Sequence, residues 1–268
     1  MFNKYNVNTF QAIVVNYFVA FICGFFFYGN GVTLVEVSQK PWMIGAVILG
    51  VLFISIFIIM ALTAQQNGLS VASVASKMSV VIPVIFAVIV YHEKLSFLKI
   101  VGIILALFAV YLTTVKKDIS EFDKSKLLFP ILLFFGSGVI DTAIKYIETT
   151  YVADGETPIF SAAIFACAAI LGVFIIMIRR DFKITWKTIL GGIALGIPNF
   201  YSIVFLLKAL RPDQLGDSST VFPINNVAIV MLSTIFGIII FKEKLILKNW
   251  IGIGIALVSI ALISFSIQ

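Results

Sequence analysis

Apolar runs broken by short charged connectors set the pattern of this chain. Examples are "MIGAVILGVLFISIFIIMAL" at 43–62 and "IGIGIALVSIALISFSI" at 251–267. These runs do not alternate as half-buried strands do. A helix that crosses a bilayer needs about 20 apolar residues, and Gly and Pro inside such runs suit membrane helices better than soluble ones. The pattern predicts spans near residues 9–29, 41–64, 70–91, 97–115, 127–149, 157–178, 186–208, 217–241 and 248–267. The expected fold class is an all-α polytopic membrane protein with nine spans. "KKDISEFDKSK" at 116–126 is the most polar stretch and divides the chain into 1–116 and 127–268, with 117–126 as connector.

Composition agrees. The 268 residues are 61% hydrophobic and 12% charged, against about 25% charged in a soluble domain. The net charge of +6 does not point to nucleic acid, because the basic residues sit in the connectors, where they orient spans. Connectors 1–8, 65–69, 116–126, 179–187 and 242–249 hold twelve Lys and Arg and the alternate connectors hold six. That bias places Met1 in the cytoplasm. Cys23 and Cys167 lie in apolar runs and read as inert buried thiols. The N-terminal run is too long for a signal-peptide core and is read as a retained span.

The two parts resemble each other. Glu93-Lys94-Leu95 recurs as Glu243-Lys244-Leu245, an offset of 150 that also sets Gly102 against Gly252 and Ala106-Leu107 against Ala256-Leu257. Five predicted spans separate the two Glu-Lys-Leu loops, so the loops face opposite sides and the repeats are inverted. Such repeats mark many transporters. A five-helix repeat gives ten spans. The first part has nothing to match the span at 127–149, so a first helix is expected to be missing, either naturally or because the start lies inside a longer gene. Lys4 and Tyr5 would suit the end of such a helix, which favours the second explanation.

A span, a loop opening Glu-Lys-Leu and a second span with an early glycine, all given twice, resemble the EamA-like domain of the drug/metabolite transporter superfamily. The resemblance covers the whole chain in two copies. It implies two inverted five-helix repeats, a central cavity, and export or exchange of small metabolites by alternating access. It also implies a cytoplasmic C-terminus, contrary to the charge bias.

Polar groups inside spans are the candidates for function, since a charge at a span's centre costs at least ~2.5 kcal/mol. Lys77 shares a helix face with Ser70 and Ser73 and offers a fixed positive charge to an anionic or zwitterionic substrate; snorkelling or pairing with a carboxylate is the structural alternative. Asp141, Lys145 and Glu148 form one stripe. Asp141 lies deepest and is the candidate for proton coupling, or for neutralising Lys145 or Lys77; Lys145 and Glu148 are expected to meet headgroups or water. "GIPNFYS" at 196–202 and "TVFPINN" at 220–226 set a proline inside a span. There Asn199, Tyr201, Asn225 and Asn226 offer substrate contacts beside a kink, or plain interhelical hydrogen bonds. Pro83 is expected to kink the span at 70–91. Gly192 and Gly196 read as close-packing positions.

His92 sits in a loop and the cysteines are distant, which argues against a metal site. Gly136-Ser137-Gly138 is not the hydrolase elbow and has no intramembrane histidine as base. No phosphate-binding Gly-x-x-x-x-Gly-Lys-[Ser/Thr] loop occurs, and no cofactor is expected. The sequence reading is a secondary transporter exporting small polar metabolites, amino acids among them, across a bacterial inner membrane. Its cavity is expected to include Ser73, Lys77, Asp141, Asn199, Tyr201, Asn225 and Asn226. The expected partners are the lipid bilayer and a small-molecule substrate, with no nucleic acid and with oligomerisation open. The alternatives are a non-transporting subunit, a truncated inactive transporter or, with less support, an intramembrane enzyme.

Overall fold

Capping side chains open several of the described helices. In the computed structural model, which describes residues 8–28, 31, 33–67, 69–114, 127–180, 184–211, 214, 217–241 and 246–265, eleven helices follow one another. Asn8 Oδ1 accepts the N–H of Phe10 and Gln11 and opens α1 (Thr9–Tyr28). Thr33 and Glu36 form a reciprocal capping box on α2 (Leu34–Ser38). Each such bond satisfies one of the orphan donors of a helix's first turn. The short α2 was not expected from the hydropathy pattern.

Helix α3 (Met43–Gln66) precedes α4 (Leu69–Met78) and α5 (Val81–Val90). The last two lie in the predicted span 70–91, and the break between them is the effect expected of Pro83. Proline has no N–H for the carbonyl four residues back, which is Ser79, and its ring crowds that carbonyl. The chain turns at 79–80 instead, and the Ser79 hydroxyl bonds back to Ser76 O.

Ser96 caps α6 (Phe97–Thr114) through the Lys99 N–H. After it come α7 (Leu128–Tyr151), α8 (Thr157–Arg179), α9 (Trp186–Ala209), α10 (Ser218–Phe241) and α11 (Leu247–Phe265). Pro198 and Pro223 lie inside α9 and α10, as the sequence indicates. Eight segments among the described residues are long and apolar enough to cross a membrane, and the segment 97–113 of α6 is apolar but shorter. The protein is an all-helical, polytopic membrane protein.

The helices form two units. The first unit takes Met1–Ile58 and Ala143–Ala209, and the second takes Ile59–Thr142 and Leu210–Gln268, so each draws helices from both parts of the sequence. In the first, α1 packs against α8 and α9. Tyr17, fully buried, stacks on Phe165 at 5.9 Å and meets Phe57 edge-on at 6.0 Å. Gly192 and Gly196 allow this packing, as expected. A Cβ on Gly192 would stand 2.4 Å from Val15 Cγ1, and one on Gly196 would stand 2.7 Å from Asn16 O.

In the second unit α6 and α11 form the most extensive helix pair. Their crossing is reciprocal. Gly102 faces Ile263 and Gly252 faces Thr113, and both exchanges are steps of 150 residues (252 − 102 and 263 − 113). Buried polar groups lock the pair. Ser259 Oγ donates to Gly102 O at 2.8 Å, and Asn249 Nδ2 donates to Leu112 O and Thr113 O, each at 3.0 Å.

Candidate functional site

The break at 79–80 creates the site's first requirement. A helix that stops leaves its last carbonyls without intrahelical donors, and the carbonyl of Lys77 is one of these. Asn226 of α10 supplies the donor, its Nδ2 lying 3.1 Å from Lys77 O. The same amide turns its Oδ1 to Lys77 Nζ, which donates at 3.3 Å. One buried side chain thus holds both the backbone and the ammonium of Lys77. Asn226 stands three residues beyond Pro223.

Opposite charge is close. Asp141 on α7 and Lys77 on α4 lie within electrostatic range of each other. Next to that pair is a hydroxyl pair, Ser137 Oγ donating to Ser76 Oγ at 3.4 Å. Ser76 adjoins Lys77, and Ser137 precedes Asp141 by one helical turn, on the same face. Gly138 permits the approach, because a Cβ there would stand 2.4 Å from Ile82 Cδ1 of α5. The Gly136-Ser137-Gly138 stretch therefore serves packing and places a hydroxyl in the polar strip. Ser73 lies one turn before Lys77 on α4, and Asn225 is beside Asn226 on α10; both are half-buried.

Two predicted site residues belong to the other unit. Asn199 Nδ2 donates to Asn16 Oδ1 of α1 at 3.2 Å, an interhelical bond beside the Pro198 kink. Tyr201 is half-buried with its ring stacked on Phe205 at 6.0 Å. The structure thus brings Lys77, Asp141 and Asn226 together, and it gives Asn199 a helix-joining contact. The sequence alone did not single out Asn16, although a polar residue in the middle of "AIVVNYFVAFICGFFF" was a signal for it.

One expectation is corrected. Lys145 and Glu148 do not face headgroups or water; their exposures are 6% and 3%. Glu148 Oε1 accepts from Thr157 Oγ1 at 3.3 Å, because the turn after α7 folds the start of α8 over this end of the helix.

In the sequence the Glu-Lys-Leu loops serve as markers of the repeat. Glu243, Lys244 and Leu245 lie outside the described residues. Glu93 does more than mark a loop. Its Oε1 accepts the Ser218 N–H at 2.7 Å at the start of α10, and Lys99, nearly fully buried, pairs with Asp217 at 2.8 Å. These two links fix the first turn of the helix that carries Asn226. Outside the spans, Glu156 accepts from Lys40 Nζ and from Trp42 Nε1, the latter at 2.9 Å. Partial burial raises its carboxyl pKa, but the Lys40 and Trp42 bonds and the Lys40 charge outweigh burial and hold it below the usual carboxylate range.

Known proteins resemble this chain along nearly its full length. The model of the EamA-like transporter family matches residues 1–115 and 126–265. An uncharacterised protein of Haemophilus influenzae is 31% identical over 266 residues, covering 96% of this chain and 89% of that protein. A solved crystal structure superposes with a TM-score of 0.77 at 15% identity, covering 97% of this chain and 90% of that one, which establishes a shared fold.

Proposed function

Because the chain belongs to the EamA-like transporter family, we propose that it is a secondary transporter of small polar metabolites, amino acids among them, working as an exporter in a bacterial inner membrane. One observation carries the reading: a lysine and an aspartate, with an asparagine gripping the lysine, sit together at a helix break inside apolar spans. A charge at a span's centre costs roughly 2.5–3.5 kcal/mol, and broken helices with polar groups at that depth are where transporters bind substrate. Lys77 would take an anionic group and Asp141 a cationic one. Ser73 and Asn225 would complete the cavity, and Asp141 is the candidate for proton coupling. Catalysis is not part of this reading.

Alternating access between two inverted repeats, 1–116 and 127–268, is the proposed mechanism. The reciprocal α6–α11 crossing supports it, since exchange of equivalent contacts is what a two-fold relation produces. Reconstitution into proteoliposomes tests the function. Vesicles loaded with an unlabelled amino acid should accumulate the labelled one by counterflow, and Lys77→Met should abolish preference for substrates with a carboxylate. Absence of counterflow across a panel of amino acids and other small polar metabolites overturns the reading. An imposed pH gradient should drive flux in the native protein and not in Asp141→Asn; equal driving of both removes Asp141 from coupling.

A further inference from the structure

In the first unit, α1 and α8 run antiparallel in close register. Gly24 lies against Ala162 and Gly172 against Val14, and at the far end the Arg179 guanidinium sits 5.2 Å over the Phe10 ring. Beside this seam lies a cleft of about 510 Å³, within the range of roughly 300–1,000 Å³ usual for ligand sites. Ala162, Ala163, Ala166 and Ala169 of α8 line one side of it, and Phe18, Phe21 and Phe25 of α1 line another. Small side chains beside a row of rings make a long trough. Along α8 the lining runs from Ile159 to Met177, about 27 Å at the helical rise, close to the ~30 Å hydrocarbon thickness of a bilayer. Ile170 and Phe174 are 68% and 56% exposed, so the trough opens sideways. Helix α8 is a membrane span, and the medium outside an exposed apolar span is lipid.

Charge at one end selects among lipids. Met177, the lining residue at that end, is followed by Arg179 and Arg180, both exposed. Arg180 takes φ 52° and ends the helix by donating its N–H to Ile176 O and Met177 O. The Phe10 ring holds the Arg179 guanidinium at this end, and Lys187 is exposed at the start of the next helix. Guanidinium groups pair with phosphate through parallel hydrogen bonds. Cations at the terminus of an apolar trough match a molecule with a phosphate head and a hydrocarbon tail.

We propose that the α1–α8 trough is a binding site for an anionic glycerophospholipid, with one acyl chain in the trough and the headgroup phosphate at Arg179 and Arg180. Two arginines favour an anionic over a zwitterionic headgroup by up to roughly 30-fold. The test is native mass spectrometry of the full chain, released from mixed micelles holding equal phosphatidylglycerol and phosphatidylcholine of identical chains. The native protein should retain phosphatidylglycerol with roughly tenfold preference or more. The exposed double variant Arg179→Gln/Arg180→Gln should retain both lipids about equally, and Ala166→Phe, which fills the trough, should lose both. Equal retention of the two lipids by the native protein overturns the proposal, as does an undiminished preference in the arginine variant. If Ala166→Phe does not fold, the arginine comparison decides alone.

Discussion

Glu93 grips Ser219 twice. One carboxylate oxygen accepts both the backbone N–H of Ser219 at 3.0 Å and its hydroxyl at 2.7 Å, while the other takes the Ser218 N–H. A side chain 125 residues distant thus does for α10 what a local cap does elsewhere. Negative charge is favourable at a helix N-terminus, and bonds to charged groups contribute about 1.5–3 kcal/mol each when unscreened.

Replacing that carboxylate should loosen α10 in graded steps. Glu93→Ala should lower stability by about 1–3 kcal/mol, and Glu93→Gln, which keeps the shape and loses the charge, by less. Thermal unfolding in a neutral detergent measures this, with the expected order native, Gln, Ala. A Glu93→Ala protein that unfolds with the native one would show that the cap contributes nothing. Asn226 lies eight residues beyond Ser218, about two turns, so both variants should also weaken counterflow.

Asn226 is expected to be more demanding than its neighbour. Asn226→Leu removes the donor to Lys77 O and the acceptor from Lys77 Nζ together. Leaving such a buried group unsatisfied costs about 1–3 kcal/mol. Asn225→Leu, one position along and half-buried, should cost less than half as much. Paired measurements of unfolding and flux check the order; equal effects at the two positions would remove Asn226 from its role as the holder of Lys77.

The sequence announces Lys77 and Asp141 because ionisable groups in apolar runs are costly wherever they point. It announces the break after α4 because Pro83 withholds a donor. It cannot announce that Asn226 is the partner, since 149 residues separate it from Lys77 and only the packing of α10 beside the break closes that distance. Asn225 and Asn226 look equivalent on the page, and the helix periodicity gives them different faces. The helix α2 was hidden for another reason: its five residues are too few for a hydropathy signal, although Thr33 and Glu36 spell a capping box.

Acid should act on the first unit through Glu156. Its folded pKa lies below the unfolded value, so its contribution to stability is present above the ordinary carboxylate range and is lost as pH falls through the folded value. Stability should therefore decline below about pH 4.3, the ordinary glutamate value, more steeply in the native protein than in Glu156→Gln, which cannot titrate. Midpoints of thermal unfolding at pH 7 and at progressively lower pH make the comparison. Parallel curves for the two proteins would exclude Glu156 as a contributor.

The α6–α11 crossing predicts how its glycines respond to a methyl group. A Cβ on Gly252 would stand 2.8 Å from Thr113 Cγ2 and 2.9 Å from the Thr113 backbone N, whereas one on Gly102 would meet Ile263 Cγ1 at 2.6 Å with backbone no nearer than 3.3 Å. A side-chain terminus can rotate away and a backbone nitrogen cannot without moving its helix. Gly252→Ala should therefore be the more destabilising of the two, by about 1–3 kcal/mol as overpacking usually is, and Gly102→Ala the milder. Gly254, two residues on, has open space around its Cβ direction. Gly254→Ala should raise stability by up to about 1 kcal/mol through helix propensity. Thermal unfolding of the three variants ranks them. A Gly254→Ala protein as unstable as Gly252→Ala would mean that the region rejects any added methyl, and the reciprocal seam between the two helices would lose its explanatory place.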